Sequence, residues 1–182
     1  YIHSGIIHIV PAGLDHILFV IGLLAYGLSG RRLIFQVSLF TVAHTITLVS
    51  ASLKLIAVPG SIVEPLIALS IAWIGIENII TKSGRVAVSR SAVVFAFGLL
   101  HGLGFASVLA DFGLPQSAFI IGLLSFNLGV EIGQLIIVIP IFFIVRALKL
   151  SEPQFRRGFQ IPVSAVISAI GIFWFFERLG LV

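Results

Sequence analysis

Long apolar runs separated by short polar breaks constrain this chain more than any other feature. Six of them can be read, at about 5–28, 33–56, 61–81, 91–110, 117–146 and 161–180. Each reaches the roughly 20 residues that carry a helix across a bilayer. The breaks have the chemistry of loops: Gly27 to Arg32, then Lys54 with Pro59 and Gly60, then the basic stretch from Thr81 to Arg90. Asp111, Gly113 and Pro115 predict a tight turn, and Ser151 to Gln160 is the longest polar segment. Such short connections favour an antiparallel helical bundle. The expected architecture is an all-α, six-helix transmembrane bundle forming a single domain over residues 1–182. The fifth run is overlong, and Pro140 is expected to kink it.

Composition closes off the other classes. Of the 182 residues, 59% are hydrophobic and 10% are charged. A water-soluble domain is near half apolar with about a quarter charged, and a disordered chain needs the opposite bias. The runs do not alternate, which argues against a membrane β-barrel. With no Cys, disulfides, iron–sulfur clusters and thiolate metal sites are excluded. The net charge of +4 does not imply nucleic acid, because the basic residues sit in the loops.

Those basic residues set an orientation. Nine lie on one side: Arg31, Arg32, Lys82, Arg85, Arg90, Arg146, Lys149, Arg156 and Arg157. Two, Lys54 and Arg178, lie on the other. The positive side is the cytoplasmic one. The chain is therefore expected in the inner or plasma membrane, multi-pass, with both termini outside. Position 1 is not Met, so processing or cutting upstream is expected, either by signal cleavage or by choice of boundary.

Ionisable groups deep in a bilayer cost at least ~2.5–3.5 kcal/mol each and need a reason. The midpoints of the first, second, fourth and fifth runs fall beside Asp15 and His16, at His44, at His101 and at Glu131. Three histidines and two carboxylates thus share one depth. Read as an unbroken helix, the first run puts His8 seven residues from Asp15, on the same face and about 10 Å outward. Asn127, Glu131 and Gln134 make one stripe on the fifth run. Gly98 and Gly102 flank His101 in a small-xxx-small pattern that lets helices approach closely. His8 and Glu64 form a sparser outer set. Glu77 is expected to pair with an inner basic residue, and Trp73 to lie in the core. The sixth run carries only Ser164 and Ser168 in its interior and is expected at the periphery.

Imidazole with carboxylate suits nickel, cobalt, zinc and ferrous iron, and a bound cation relieves the burial of the carboxylates. The candidate metal residues are His16, Asp15, His44, His101, Glu131, His8, Asn127 and Glu64. Asn127 and the threonines would supply oxygen ligands or fix the imidazoles.

Five strings in order carry a resemblance. They are Gly13-Leu14-Asp15-His16-Ile17-Leu18-Phe19, Phe40-Thr41-Val42-Ala43-His44-Thr45-Ile46-Thr47-Leu48, Val63-Glu64-Pro65-Leu66-Ile67-Ala68-Leu69-Ser70, Phe97-Gly98-Leu99-Leu100-His101-Gly102-Leu103-Gly104-Phe105-Ala106 and Phe126-Asn127-Leu128-Gly129-Val130-Glu131-Ile132-Gly133-Gln134. Together they resemble the HupE/UreJ family, and more narrowly its second branch. The resemblance implies a small nickel or cobalt permease whose ligands include His8, Asp15 and His16. The better-studied branch carries a second histidine and a glutamate after the fourth-helix histidine. This chain reads Gly104-Phe105-Ala106-Ser107-Val108 there, and His44 and Glu131 are the candidates for those roles.

The leading expectation is a secondary transporter of a divalent transition-metal cation, with the lipid bilayer and the ion as its partners and no nucleic acid. No Walker motif is present, so no nucleotide is expected. Three alternatives stay open. An intramembrane zinc hydrolase would use Glu131 or Asp15 as base. A haem protein would use two of the histidines as axial ligands. An accessory subunit would use the polar cluster for assembly. A homo-oligomer also stays open.

Overall fold

The computed structural model describes residues 1–27, 29–81, 88–104 and 119–182. The expected basic loop at Lys82 and Arg85, the turn at Asp111, Gly113 and Pro115, and the string Phe105 to Val108 lie outside the described residues. So do Leu28 and the ends of the fourth and fifth runs that meet at that turn.

The described residues are helical, with no strand among them. The helices are α1 (Ile2–Ile9), α2 (Leu14–Ala25), α3 (Gly30–Ser52), α4 (Gly60–Ile80), α5 (Val88–Gly104) and α6 (Phe119–Ala147). A short α7 (Glu152–Phe155) leads through one π-helical turn, Arg156–Gln160, into α8 (Ile161–Arg178). Among the described residues, four helices are long and apolar enough to cross a membrane: α3, α4, α6 and the continuous stretch from α7 through α8. The α1–α2 pair passes the same test jointly, which makes five. The part of α5 from Arg90 to Gly104 is apolar but shorter.

The first run is not the unbroken helix expected from its hydropathy. It bends by 74° between α1 and α2. The physical reason is Pro11 and Gly13 within one turn. Pro lacks an N–H and clashes with the preceding turn, and Gly weakens a helix interior. The face and rise computed for an unbroken helix do not hold for His8.

Helix α2 is the centre of the molecule. It packs against α3, α4, α6 and α8, and seven of its residues are buried: His16, Phe19, Val20, Gly22, Leu23, Leu24 and Ala25. Three outer seams surround it: α3 on α5, α1 on α6, and α4 on α8. All three are glycine seams. A Cβ on Gly98 would meet the Phe40 backbone and Ala43. One on Gly102 would overlap the His44 carbonyl and Thr47 Oγ1. Gly5 and Gly129 do the same between α1 and α6, as do Gly75 and Gly171 between α4 and α8. Close backbone approach of this kind is how helices associate where lipid removes the hydrophobic drive.

Helix α8 lies at the edge. Ser164 and Ser168 turn inward, where Asn78 Nδ2 donates to Ser164 Oγ at 3.2 Å, while Val166, Phe173 and Phe176 face outward. Trp73 is 53% exposed and belongs to the outer surface of α4, not the core. Helix α6 runs on through Pro140. The α4–α5 seam is locked by an ion pair in which Arg90 Nη1 donates to Glu77 Oε2. Arg90 is buried, with its guanidinium 3.8 Å from the Tyr26 ring centroid.

Candidate metal centre

The helix break does the first positioning. It turns α1 back so that the His8 ring lies 4.8 Å from that of His16, not a separate step outward along one helix. His44 projects from α3, with its ring 5.6 Å from that of His16 and 6.2 Å from that of His8. His101 projects from α5, and its ring is 5.0 Å from that of His16.

Two overlapping groups result. One ligand atom from each of His8, His16 and His44 can be chosen within 4.8 Å of the others, and the same holds for Asp15, His16 and His101. His16 belongs to both. The neighbouring imidazoles meet at 70–82° where they touch His16 from α1, α3 and α5. Such edge contact leaves no slot for a porphyrin between them.

Hydrogen bonding assigns the free lone pairs. His16 Nδ1 is 3.0 Å from Asp15 Oδ1. An ionised carboxylate only accepts, so Nδ1–H donates and Nε2 keeps its lone pair. Asn127 Nδ2 donates to the Leu123 carbonyl at 2.9 Å, which aims Oδ1 at His44 Nδ1, 3.1 Å away. His44 therefore donates from Nδ1, and its Nε2 lone pair is free. The Ser70 hydroxyl spends its proton on the Ile67 carbonyl at 2.7 Å, so it accepts from His101 Nε2 at 3.0 Å. That leaves the lone pair of His101 Nδ1.

These three nitrogens, His16 Nε2, His44 Nε2 and His101 Nδ1, are buried and have no hydrogen-bond partner among the described residues. Buried acceptors are rarely left so. An imidazole pinned through one nitrogen with the other left bare is the arrangement by which an outer partner orients a metal ligand. Asp15 sits in the first turn of α2, where the helix dipole favours a carboxylate. It also accepts from the His16 backbone N–H at 2.8 Å.

The remaining sequence candidates fall elsewhere. Asn127 touches the centre through His44. Glu131 stands outside both groups. Its Oε1 accepts from Ser38 at 2.6 Å, and it borders an open, largely apolar groove between α3 and α6. Glu64 is exposed near the start of α4, past its first turn, where its backbone carbonyl accepts from Arg178 at 2.8 Å.

Two features escaped the sequence reading. Ser70 is one; a lone hydroxyl on an apolar helix was the available signal. The other is an aromatic layer. Phe19 follows His16 by three residues, while Phe40 and Phe97 precede His44 and His101 by four. Because α2 runs antiparallel to α3 and α5, all three rings fall on the same side of the imidazoles. Phe40 lies 5.1 Å from the His101 ring and 4.7 Å from Phe19, which lies 6.1 Å from Phe97.

No curated protein and no solved structure matches this chain. A family model described as HupE / UreJ protein, of the second type, matches residues 1–178. Its members are membrane proteins related to nickel and cobalt transport, and they are not a known enzyme family. With nearly the whole chain matched, and with a cluster of imidazoles and a carboxylate suited to such ions, the chain belongs to the HupE/UreJ family.

Proposed function

We propose that this chain is a permease that moves a divalent transition-metal cation, nickel or cobalt, through a His/carboxylate site midway across the membrane. It would do so as a single transmembrane domain of six spans, the bent α1–α2 pair counting as one and α5 as another. Both termini would be outside the inner or plasma membrane. His8, Asp15, His16, His44 and His101 would be the ligands, with Asn127 and Ser70 as orienting partners. Glu64 would stand at the outer mouth, on the end of α4 away from the arginine-rich loops.

One observation carries this reading. Three buried imidazoles from three helices each have one nitrogen anchored as a donor and the other bare. Left empty, each bare nitrogen costs about 1–3 kcal/mol as an unsatisfied buried acceptor. A cation held by His8, His16 and His44, or by Asp15, His16 and His101, would relieve part of that cost. Neutral imidazoles and one carboxylate form a borderline set that suits nickel and cobalt. Without thiolate the grip stays labile enough to release cargo.

The test is elemental analysis of protein purified from nickel-replete cells, beside His16→Ala and His101→Ala. About one ion per chain is expected in the wild type, with loss from both variants. Wild-type metal content in both would overturn the site.

A further inference from the structure

Beyond the histidines, toward the end that carries Arg31 and Arg32, the helices repeat one order of side chains. On α2 it reads His16, Phe19, Leu23 and Tyr26, and on α5 it reads His101, Phe97, Val94 and Arg90. Each step is three or four residues, so each set keeps to one face of its helix. Helix α4 follows with Ser70, Ile74 and Glu77. The order is a polar layer, an aromatic one, an aliphatic one and then a second polar layer. The two middle layers belong to one apolar cluster, in which Phe19, Leu23, Ile74 and Val94 are fully buried.

The second polar layer is built round Arg90, eleven residues from His101 and about 16 Å away along α5. An ionisable residue enclosed in a membrane bundle is costly and points to function. Arg90 is 2% exposed. Its Nη1 donates to Glu77 Oε2, and its Nη2 donates to Asn78 Oδ1 at 3.3 Å. Its Nε has no hydrogen-bond partner among the described residues. Asn78 is held independently of Arg90, since its Nδ2 donates to the Gly22 carbonyl at 2.7 Å. Its Oδ1 therefore keeps its aim if the guanidinium leaves, and Glu77 then stands beside it with a bare carboxylate oxygen.

We propose that Glu77 and Asn78 form an exit site for the divalent cation, and that Arg90 occupies this site while the cargo sits at the histidines. The guanidinium and the ion need the same two oxygens and repel each other, so they hold the place in turn. Oxygen ligands grip nickel or cobalt less firmly than imidazoles do, which suits release. The apolar layers keep the two sites apart, because a hydrophobic constriction bars an ion and a fixed arginine adds an electrostatic barrier to cations. The arrangement seen here is thus closed at the arginine end. The inference rests on the transport reading and adds to it an inner latch.

The two partners of the ion pair should then act with opposite signs, whereas a pair that only fastened α4 to α5 would give the same sign from either side. Nickel uptake by the full chain in proteoliposomes is compared per folded protein. Arg90→Gln is expected to raise the initial rate threefold or more, and Glu77→Gln to lower it fivefold or more. Because the chain has no Cys, single cysteines report the closure directly. A charged thiol reagent applied from the arginine side should label Val94→Cys at least tenfold faster when Arg90→Gln is added. Ala72→Cys is the control, since Ala72 is buried on the side of α4 that packs on α8; its labelling should not change. The same sign from Arg90→Gln and Glu77→Gln, or faster labelling of both cysteines alike, would overturn the proposal. A wild type that carries no nickel would instead overturn the transport reading and the exit role of Glu77, while the labelling would still decide whether Arg90 closes this end.

Discussion

Helices α2 and α8 are both apolar, and both pack on α4, yet they are built for different work. Helix α2 is 12 residues long and has seven of them buried. Helix α8 is 18 residues long and buries Ser164, Ile167, Ser168 and Gly171, a single stripe. The short helix is surrounded and carries Asp15 and His16. The long one is a brace, with one face on α4 and the other outward. Length therefore follows exposure to lipid, and chemistry follows enclosure. A segment that need not span alone can stop where a ligand is wanted.

The contrast should be widest in stability. Phe19→Ala removes a fully buried ring from the central cluster and is expected to cost about 3–5 kcal/mol. Phe173→Ala, on the outer face of α8, should cost under about 0.5 kcal/mol. Unfolding in mixed micelles compares them, and equal costs would break the distinction between core helix and brace. Next come the glycine seams. Gly102→Leu and Gly171→Leu each overpack a backbone crossing and should each cost about 1–3 kcal/mol. Only Gly102→Leu should also lower nickel content in the folded fraction, because its clash is with the His44 carbonyl. Asn127→Leu, which removes the acceptor that holds His44 Nδ1, should weaken nickel 10–100-fold, the usual effect of disturbing a partner that orients a ligand. Isothermal titration would read that loss. Within the buried seams the smallest effect is Ser168→Ala, which removes a hydroxyl bonded to the Ser164 carbonyl at 2.8 Å. About 0.6 kcal/mol is expected, typical for such bonds in membranes, with nickel binding unchanged.

Much of the architecture was legible because lipid imposes simple rules. The apolar runs anticipated the helical architecture, and the structure brings the rings of His44 and His101 to 5.6 Å and 5.0 Å from that of His16. The glycines beside His101 announced a close crossing with another helix, which proved to be α3. What stayed hidden were departures from regular helix. Hydropathy is continuous through Val10 to Gly13, so it averaged over the break that Pro11 and Gly13 impose. His8 was accordingly assigned a separate outward position when it lies against His16. Glu131 misled differently. Its depth matches that of the histidines, but depth says nothing about which side of a helix faces which neighbour, and its partner is Ser38. Trp73 shows the same limit, being mid-span yet turned outward.

The seating of α1 has one more consequence. This helix takes its main support from α6, across Gly5 and Gly129, rather than from α2, to which it is covalently joined. His8 therefore rides on a different body from His101, which rides on α5 against α3. Any tilt of α6 away from the α3–α5 pair lengthens the His8–His44 separation and spares the contact between His16 and His101. The number of imidazoles within reach of one another is in this way tied to bundle shape, and it can change by one without any side chain changing its rotamer.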